Sequence, residues 1–272
     1  MQGLHAFIPT EVKAEYINYL LKVGFDTIDF GSFVSPKAIP QLRDTAEVLS
    51  MLDLSQTSSS LLAIVANLRG AQDASGFEQI KYLGFPFSVS EEFQKRNTNS
   101  TIRESLQRVE EIQAVCEKKN KALVIYISMG FGNPYGEEWN ADIVIKWVRE
   151  LSKLGIKIFA LSDTVGVSNP ENITHLFTHL IPEFPQVEFG AHLHSNPLTW
   201  EEKVDAAFKS GCRRFDSALK GIGGCPLAKD ELTGNIATEN IVSYFDNIHQ
   251  SLTLNRAAFT DSLLKASATF PV

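Results

Sequence analysis

Two histidines separated by one residue, His192 and His194, are the residues of this chain that most directly suggest chemistry. They lie at the end of an apolar run, residues 187–193, which predicts a buried strand. Side chains at positions i and i+2 of a strand point to the same face, so both imidazoles can face one space. Two such imidazoles form half of a metal site that oxygen ligands could complete. From the pair alone an alternative stays open, in which one ring packs in a core and the other meets solvent.

A glycine-rich loop further along the chain, Gly221-Ile222-Gly223-Gly224-Cys225-Pro226, could approach a ligand closely. Gly223 and Gly224 leave the backbone free of side chains, and Cys225 presents a thiol at the tip of the loop. After it, Asn235 offers a carboxamide oxygen as a metal ligand. A structural loop with an incidental cysteine, followed by an ordinary Gly-Asn turn, would give the same pattern.

Short apolar segments alternate with amphipathic ones over the whole chain, which predicts a parallel sheet covered by helices. The predicted strands are residues 25–30, 61–66, 79–85, 122–128, 157–161, 187–193 and 213–217. The predicted helices are residues 11–22, capped by Thr10, and 38–51, 70–75, 101–118, 141–154, 170–180, 199–210, 238–249 and 255–266. This order favours a single α/β domain over residues 1–272, a TIM (β/α)8 barrel. Because only seven strands are found and the chain starts with a helix, we expect the first strand to be missing.

Polar residues follow the predicted strands at the end where such barrels place their chemistry. The set is Asp29, Asn67, Ser128, Asp163, His192, His194 and Asp216. Each residue could instead cap a helix or bind loop amides. Together they predict a site, because unpaired charge in a core is costly.

Composition narrows the function classes. The chain has 272 residues, 44% of them hydrophobic, and a formal net charge of −7 without a Lys/Arg-rich stretch. We therefore expect no nucleic-acid partner. No apolar run is long enough for a membrane span, and three distant cysteines do not suggest a disulfide framework. These features predict a cytoplasmic protein without a membrane partner.

Five motifs, in order, resemble the 3-hydroxy-3-methylglutaryl-CoA lyase family. They are Ser32-Phe33-Val34-Ser35-Pro36-Lys37 with Pro40-Gln41, then Ser162-Asp163-Thr164-Val165-Gly166-Val167, His192-Leu193-His194, Gly221-Ile222-Gly223-Gly224-Cys225-Pro226 and Gly234-Asn235-Ile236-Ala237-Thr238-Glu239. The histidine motif is shared with wider metallolyase relatives, including isopropylmalate and homocitrate synthases. The first and fourth motifs point to the lyase branch.

The resemblance implies a TIM barrel that cleaves 3-hydroxy-3-methylglutaryl-CoA to acetyl-CoA and acetoacetate, as in leucine degradation. His192, His194 and Asn235 would hold Mg²⁺ or Mn²⁺. Cys225, His192, Asp163 and Asp29 would be catalytic, although Asp29 is one methylene shorter than the family's usual glutamate. The predicted substrate-binding residues are Gln2, Asn97, Ser128, Gly223 and Gly224. An acyl-CoA substrate and a homodimer or other homo-oligomer are the expected partners.

The chain also departs from the family pattern. The family carries an Arg-Asp pair at the end of its first strand, and Met1-Gln2-Gly3 resembles the residues directly after that pair. We therefore expect that Met1 is an internal methionine of a longer protein and that this chain alone is an impaired lyase. The alternatives are a divergent superfamily member, either a Claisen-type acyl-CoA synthase or a catalytically silent ligand-binding barrel.

Overall fold

The computed structural model describes Met1, Leu4, residues 6–224 and residues 233–270. Its strands are β1 (Thr27–Ser32), β2 (Ser60–Ile64), β3 (Ile80–Ser88), β4 (Ala122–Ser128), β5 (Ile158–Ser162), β6 (Glu188–His192) and β7 (Arg214–Phe215). Its α-helices are α1 (Thr10–Leu21), α2 (Thr45–Ser50), α3 (Leu68–Ser75), α4 (Glu91–Thr98), α5 (Ile102–Lys118), α6 (Ala141–Lys153), α7 (Pro170–Glu183), α8 (Trp200–Lys209), α9 (Thr238–Asn247) and α10 (Arg256–Thr269). Short 3-10 helices span Pro40–Leu42 and Leu219–Gly221.

The seven strands form one parallel sheet in the order β1-β2-β3-β4-β5-β6-β7. Each strand pairs with the next strand along the chain, which is the order of a (β/α)8 barrel. Within the described residues no strand joins β7 to β1, so the barrel stays open there. The predicted fold class, a TIM barrel lacking one strand, is confirmed.

The core lies between the sheet and its helices, as expected for strands buried on both faces. Phe85, Phe87 and Phe159 are fully buried on the central strands, and α5, α6 and α7 each bury an apolar stripe against the sheet. Helix α10 packs across α1, where Tyr16 and Phe270 meet edge to face at 4.9 Å between ring centroids. This shell holds the loops at the carboxyl ends of the strands.

Three local predictions were wrong. The helix predicted over residues 38–51 is divided into the 3-10 turn Pro40–Leu42 and α2, because Thr45 donates to the Leu42 carbonyl and also accepts from the Ser32 amide. Thr10 is the first residue of α1 and not its cap, and its hydroxyl donates to Asp44 instead. Helix α4 was not predicted, although the Ser90 hydroxyl caps it by accepting from the Phe93 amide.

No helix among the described residues is long and apolar enough to cross a membrane.

Candidate active site

A large cavity of about 1940 Å³ occupies the interior of the barrel and reaches the opening between β7 and β1. Most of the predicted site residues that the structure describes line this cavity. They are Asp29, Asn97, Ser128, His192, His194, Gly223, Gly224 and Asn235. Two other predicted residues, Gln2 and Cys225, lie outside the described residues.

His192, the last residue of β6, and His194, two residues after it, both line the cavity, as expected for side chains at positions i and i+2 of an extended segment. Their ring centroids are 5.5 Å apart. His194 also forms an isolated antiparallel bridge with Asn235, so the chain brings the carboxamide beside the second imidazole. Three residues from two distant segments therefore meet at one point of the cavity wall.

Hydrogen bonding leaves lone pairs of these groups available for a cation. Nδ1 of His194 is buried and has no hydrogen-bond partner in the described part of the chain. Burial is the largest cause that lowers the pKa of His194 to about 3, with the charges of His192 and Lys203 adding to it, so its imidazole is neutral near pH 7. The Asn235 amide nitrogen donates to the Ile222 carbonyl at 3.2 Å, and the Asn235 side chain also forms a hydrogen bond with His194. This donor set fits a divalent metal ion.

His192 is oriented by a carboxylate behind it. Its Nδ1 lies 3.2 Å from Oδ2 of Asp216, and Nε of Arg214 lies 3.5 Å from Oδ1 of the same residue. Burial would raise the pKa of Asp216, but the hydrogen bond from His192 and the charge of Arg214 outweigh it and lower the pKa. An ionised Asp216 favours the tautomer of His192 that carries its proton on Nδ1 and its lone pair on Nε2.

Asp29 lies inside the barrel and not at its rim, because it is the third residue of β1. The Asp29 side chain is exposed to the cavity, and protein atoms surround it closely on the other sides. Burial raises the pKa of Asp29 to about 7; the Met1 amino group opposes this effect and the charge of Asp216 adds to it. A carboxyl group with this pKa can both accept and donate a proton near neutral pH.

Asp163, the residue directly after β5, points away from the cavity. Ser162 and Thr164 line the cavity, whereas the Asp163 side chain between them is fully buried against α8. Its Oδ2 lies 2.9 Å from Nζ of Lys203. Ser168 also donates to Oδ2 from its amide and its hydroxyl, and the Val167 amide donates to Oδ1. The Asp163 side chain therefore does not reach the cavity that the other described site residues line, although its backbone amide donates to the His192 carbonyl at 3.0 Å.

The glycine-rich loop approaches the side chain of Asn235. A Cβ built on Gly223 would lie 2.8 Å from Nδ2 of Asn235, and the φ of Gly223 is 114°. Both the close approach and the left-handed backbone require glycine here. Gly223, in the described part of this loop, thus lies beside Asn235 at the cavity.

Sequence reasoning missed three residues of this region. Arg214 stands two residues before Asp216, at the spacing that puts both on one face of a strand, so its signal was available. Tyr126 lines the cavity and meets His192 edge to face, with 5.3 Å between ring centroids. Lys203 carries no sequence signal, because a lysine on an amphipathic helix is usually exposed.

Comparisons with known proteins agree with this geometry. A family model described as HMGL-like matches residues 1–264. Hydroxymethylglutaryl-CoA lyase YngG of Bacillus subtilis is 32% identical over 244 residues, which cover 89% of this chain and 80% of the relative. The cytoplasmic 3-hydroxy-3-methylglutaryl-CoA lyase of Rattus norvegicus is 32% identical over 244 residues, covering 89% of this chain and 70% of the relative.

Solved structures give the same result. An HMG-CoA lyase from Acinetobacter baumannii, in complex with coenzyme A and 3-methylmalate, has a TM-score of 0.91 and 31% identity, covering 98% of this chain and 88% of that chain. The hydroxymethylglutaryl-CoA lyase of Pseudomonas aeruginosa has a TM-score of 0.91 and 28% identity, covering 100% of this chain and 89% of that chain.

Proposed function

This chain belongs to the HMGL-like family, and we propose that it cleaves 3-hydroxy-3-methylglutaryl-CoA into acetyl-CoA and acetoacetate with a divalent metal ion. The observation that carries the proposal is the convergence of His192, His194 and Asn235 on the barrel cavity. Relatives with this architecture are named for the same reaction.

The proposed metal ligands are the Nε2 atom of His192, an imidazole nitrogen of His194 and the carboxamide oxygen of Asn235. A hard ion, Mg²⁺ or Mn²⁺, suits the oxygen ligand and an oxygen-rich substrate. When bound, the ion would polarise the hydroxyl and carboxylate oxygens of the substrate as a Lewis acid. The protein's own part is to keep the His194 imidazole neutral through burial and to orient the His192 ring through its hydrogen bond with Asp216.

The reaction needs one group that removes a proton and one that returns it. The substrate hydroxyl loses its proton, the bond between C2 and C3 breaks, and its electron pair passes to the thioester as an enolate. The enolate takes up a proton to become acetyl-CoA, and C3 becomes the keto carbon of acetoacetate. We assign the removal of the hydroxyl proton to Asp29, whose pKa of about 7 suits this task. His192 and Cys225 are the other proposed proton carriers.

The remaining cavity residues are assigned to substrate binding. We propose that Gln2, Asn97, Ser128, Gly223 and Gly224 contact the acyl-CoA. Their position along one cavity supports this for the described residues. The coenzyme A bound to the Acinetobacter structure supports the acyl-CoA class. Asp163 is proposed to act on this site indirectly, by holding its loop.

We also propose a single domain over residues 1–272 that works as a homodimer or other homo-oligomer in the cytoplasm, in the breakdown of leucine or related branched acids. Light scattering on the purified protein tests the assembly. A monomer at all concentrations would contradict it.

The proposed reaction is tested by following acetoacetate and acetyl-CoA after chelation of all metals and addition of Mg²⁺ or Mn²⁺. This chain and the same chain extended by any residues encoded in frame before Met1 are assayed side by side. We expect acetoacetate and acetyl-CoA to form in equal amounts, and only when metal is present. Binding of Mn²⁺ without cleavage by either protein would contradict the proposed reaction.

A further inference from the structure

Lys203 is a buried cation directly behind the proposed metal site. It lies on α8 and is 2% exposed. Its ammonium group has three acceptors: Oδ2 of Asp163 at 2.9 Å, the carbonyl oxygen of His194 at 2.9 Å and the carbonyl oxygen of Gly166 at 3.2 Å. An ammonium group has three N–H donors, so each of them has a partner here.

These three acceptors belong to the two loops that frame the site. Asp163 and Gly166 lie in the loop after β5, and His194 begins the loop after β6. The ammonium group of Lys203 therefore connects the loop after β5 with the backbone of His194, a proposed metal ligand. Few side chains could do this, because three convergent donors on a flexible stem are specific to lysine.

The same loop also meets the segment that carries the third proposed ligand. The Thr233 hydroxyl donates to the Val165 carbonyl at 3.4 Å, and a Cβ built on Gly166 would lie 2.6 Å from Cγ2 of Thr233. The Ser195 amide donates to the Gly234 carbonyl at 3.2 Å. The loops that Lys203 contacts are thus hydrogen-bonded to Thr233 and Gly234, the two residues directly before Asn235.

Charge explains why the cation can be buried here. Asp163 is fully buried and accepts hydrogen bonds from Val167, Ser168 and Lys203, so both charges of the pair are neutralised and hydrogen-bonded. Because Asp163 points away from the cavity, this pair cannot touch the substrate. Its effect on the reaction must pass through the backbone that it holds.

We propose that Lys203 is a positioning residue that sets the metal affinity of the site by fixing the backbone of His194. The proposal rests on the proposed function, since it assumes that His194 is a metal ligand. Residues that orient metal ligands typically contribute about 10- to 100-fold to metal affinity. Lys203 acts through a hydrogen bond to His194, so a neutral donor at position 203 should keep part of the effect.

The test separates the hydrogen bond from the buried charge. Removing Lys203 alone leaves the Asp163 charge unpaired and can prevent folding, so both variants are made with Asp163→Asn. One double variant carries Lys203→Gln, whose amide group still donates, and the other carries Lys203→Met, which has a similar length and no donor. Lys209→Met, at an exposed position of the same helix, is the matched control.

The measurement is the dissociation constant of Mn²⁺, followed by electron paramagnetic resonance without substrate, on protein shown to be folded by circular dichroism. We expect the Met double variant to bind Mn²⁺ at least about 10-fold more weakly than the Gln double variant. Lys209→Met should bind like the unsubstituted chain. If the Met and Gln double variants bind equally, Lys203 has only a structural role. Failure of both double variants to fold, while Asp163→Asn alone folds, would also contradict the proposal, because the donor at position 203 would then serve the fold itself. If the unsubstituted chain binds no Mn²⁺, the metal site and with it the proposed function fail.

Discussion

Asp163, on the β5 side of the barrel, is fully buried and accepts hydrogen bonds from Val167, Ser168 and Lys203. Asp29, on the β1 side, faces the open cavity, and burial raises its pKa to about 7. Two carboxylates that the sequence presents alike are thus held in opposite ways. A buried carboxylate that accepts four hydrogen bonds stabilises the structure, whereas one left in a cavity with a raised pKa is available for chemistry.

Loss of a proposed metal-binding side chain on the β5–β6 side of the barrel should have the largest effect on Mn²⁺ binding and turnover. His194→Ala removes one of two proposed imidazole ligands, so Mn²⁺ binding and turnover should each fall by more than about 100-fold, beyond the cost of losing an orienting residue. Calorimetric titration with Mn²⁺ and an acetoacetate assay measure this. His179→Ala, at an exposed position on α7, is the control. Unchanged Mn²⁺ affinity in His194→Ala would show that His194 is not a metal ligand.

The buried ion pair on that side should dominate stability. Lys203→Met leaves the Asp163 charge buried without its partner, so the free energy of unfolding should fall by about 3–5 kcal/mol. Lys209→Met breaks an exposed pair with Asp205 and should cost less than about 1 kcal/mol. Urea denaturation followed by circular dichroism compares the two variants. Equal losses of unfolding free energy in the two variants would mean that the buried pair stabilises the fold no more than an exposed pair does.

The glycine loop gives a more local test. In Gly223→Ala the new methyl group meets Nδ2 of Asn235, so we expect about 10-fold weaker Mn²⁺ binding. Gly136→Ala places a methyl group at a similar left-handed φ of 74° with nothing within 4 Å. It should cost only about 1–2 kcal/mol of stability and leave Mn²⁺ binding unchanged. Equal Mn²⁺ affinity of the two variants would show that the loop does not hold Asn235.

The smallest effect on stability is expected on the β1 side, where Asp29 should make the free energy of unfolding depend on pH. The pKa of Asp29 is higher in the folded state, so the folded state binds this proton more tightly. The stabilising contribution of its protonated form is fully present below the unfolded value of about 4 and is lost as pH rises to about 7. In metal-free protein, the melting temperature of Asp29→Asn relative to that of the unsubstituted chain should therefore be higher at pH 8 than at pH 4. A pH-independent difference would contradict the raised pKa.

Much of this arrangement could be predicted from residue order. The strand alternation at His192 and His194 placed both rings in one cavity, and the run of strands and helices gave the barrel and its missing strand. The direction of Asp163 could not be predicted, because it follows the last residue of β5 and depends on which face of that strand α8 covers. Lys203 was likewise hidden, since only tertiary packing distinguishes a buried lysine from an exposed one on the same helix.

The pH profile of kcat/KM for cleavage of 3-hydroxy-3-methylglutaryl-CoA with saturating Mn²⁺ shows whether Asp29, and not Asp163, accepts the proton of the substrate hydroxyl. The active protein should show a rising limb at or slightly below pH 7, because a nearby cation lowers the pKa of Asp29 from about 7. The limb should disappear in Asp29→Asn, with kcat/KM reduced about 100- to 10,000-fold, and persist in Asp163→Asn. A limb that persists in Asp29→Asn and is lost in Asp163→Asn would contradict the account.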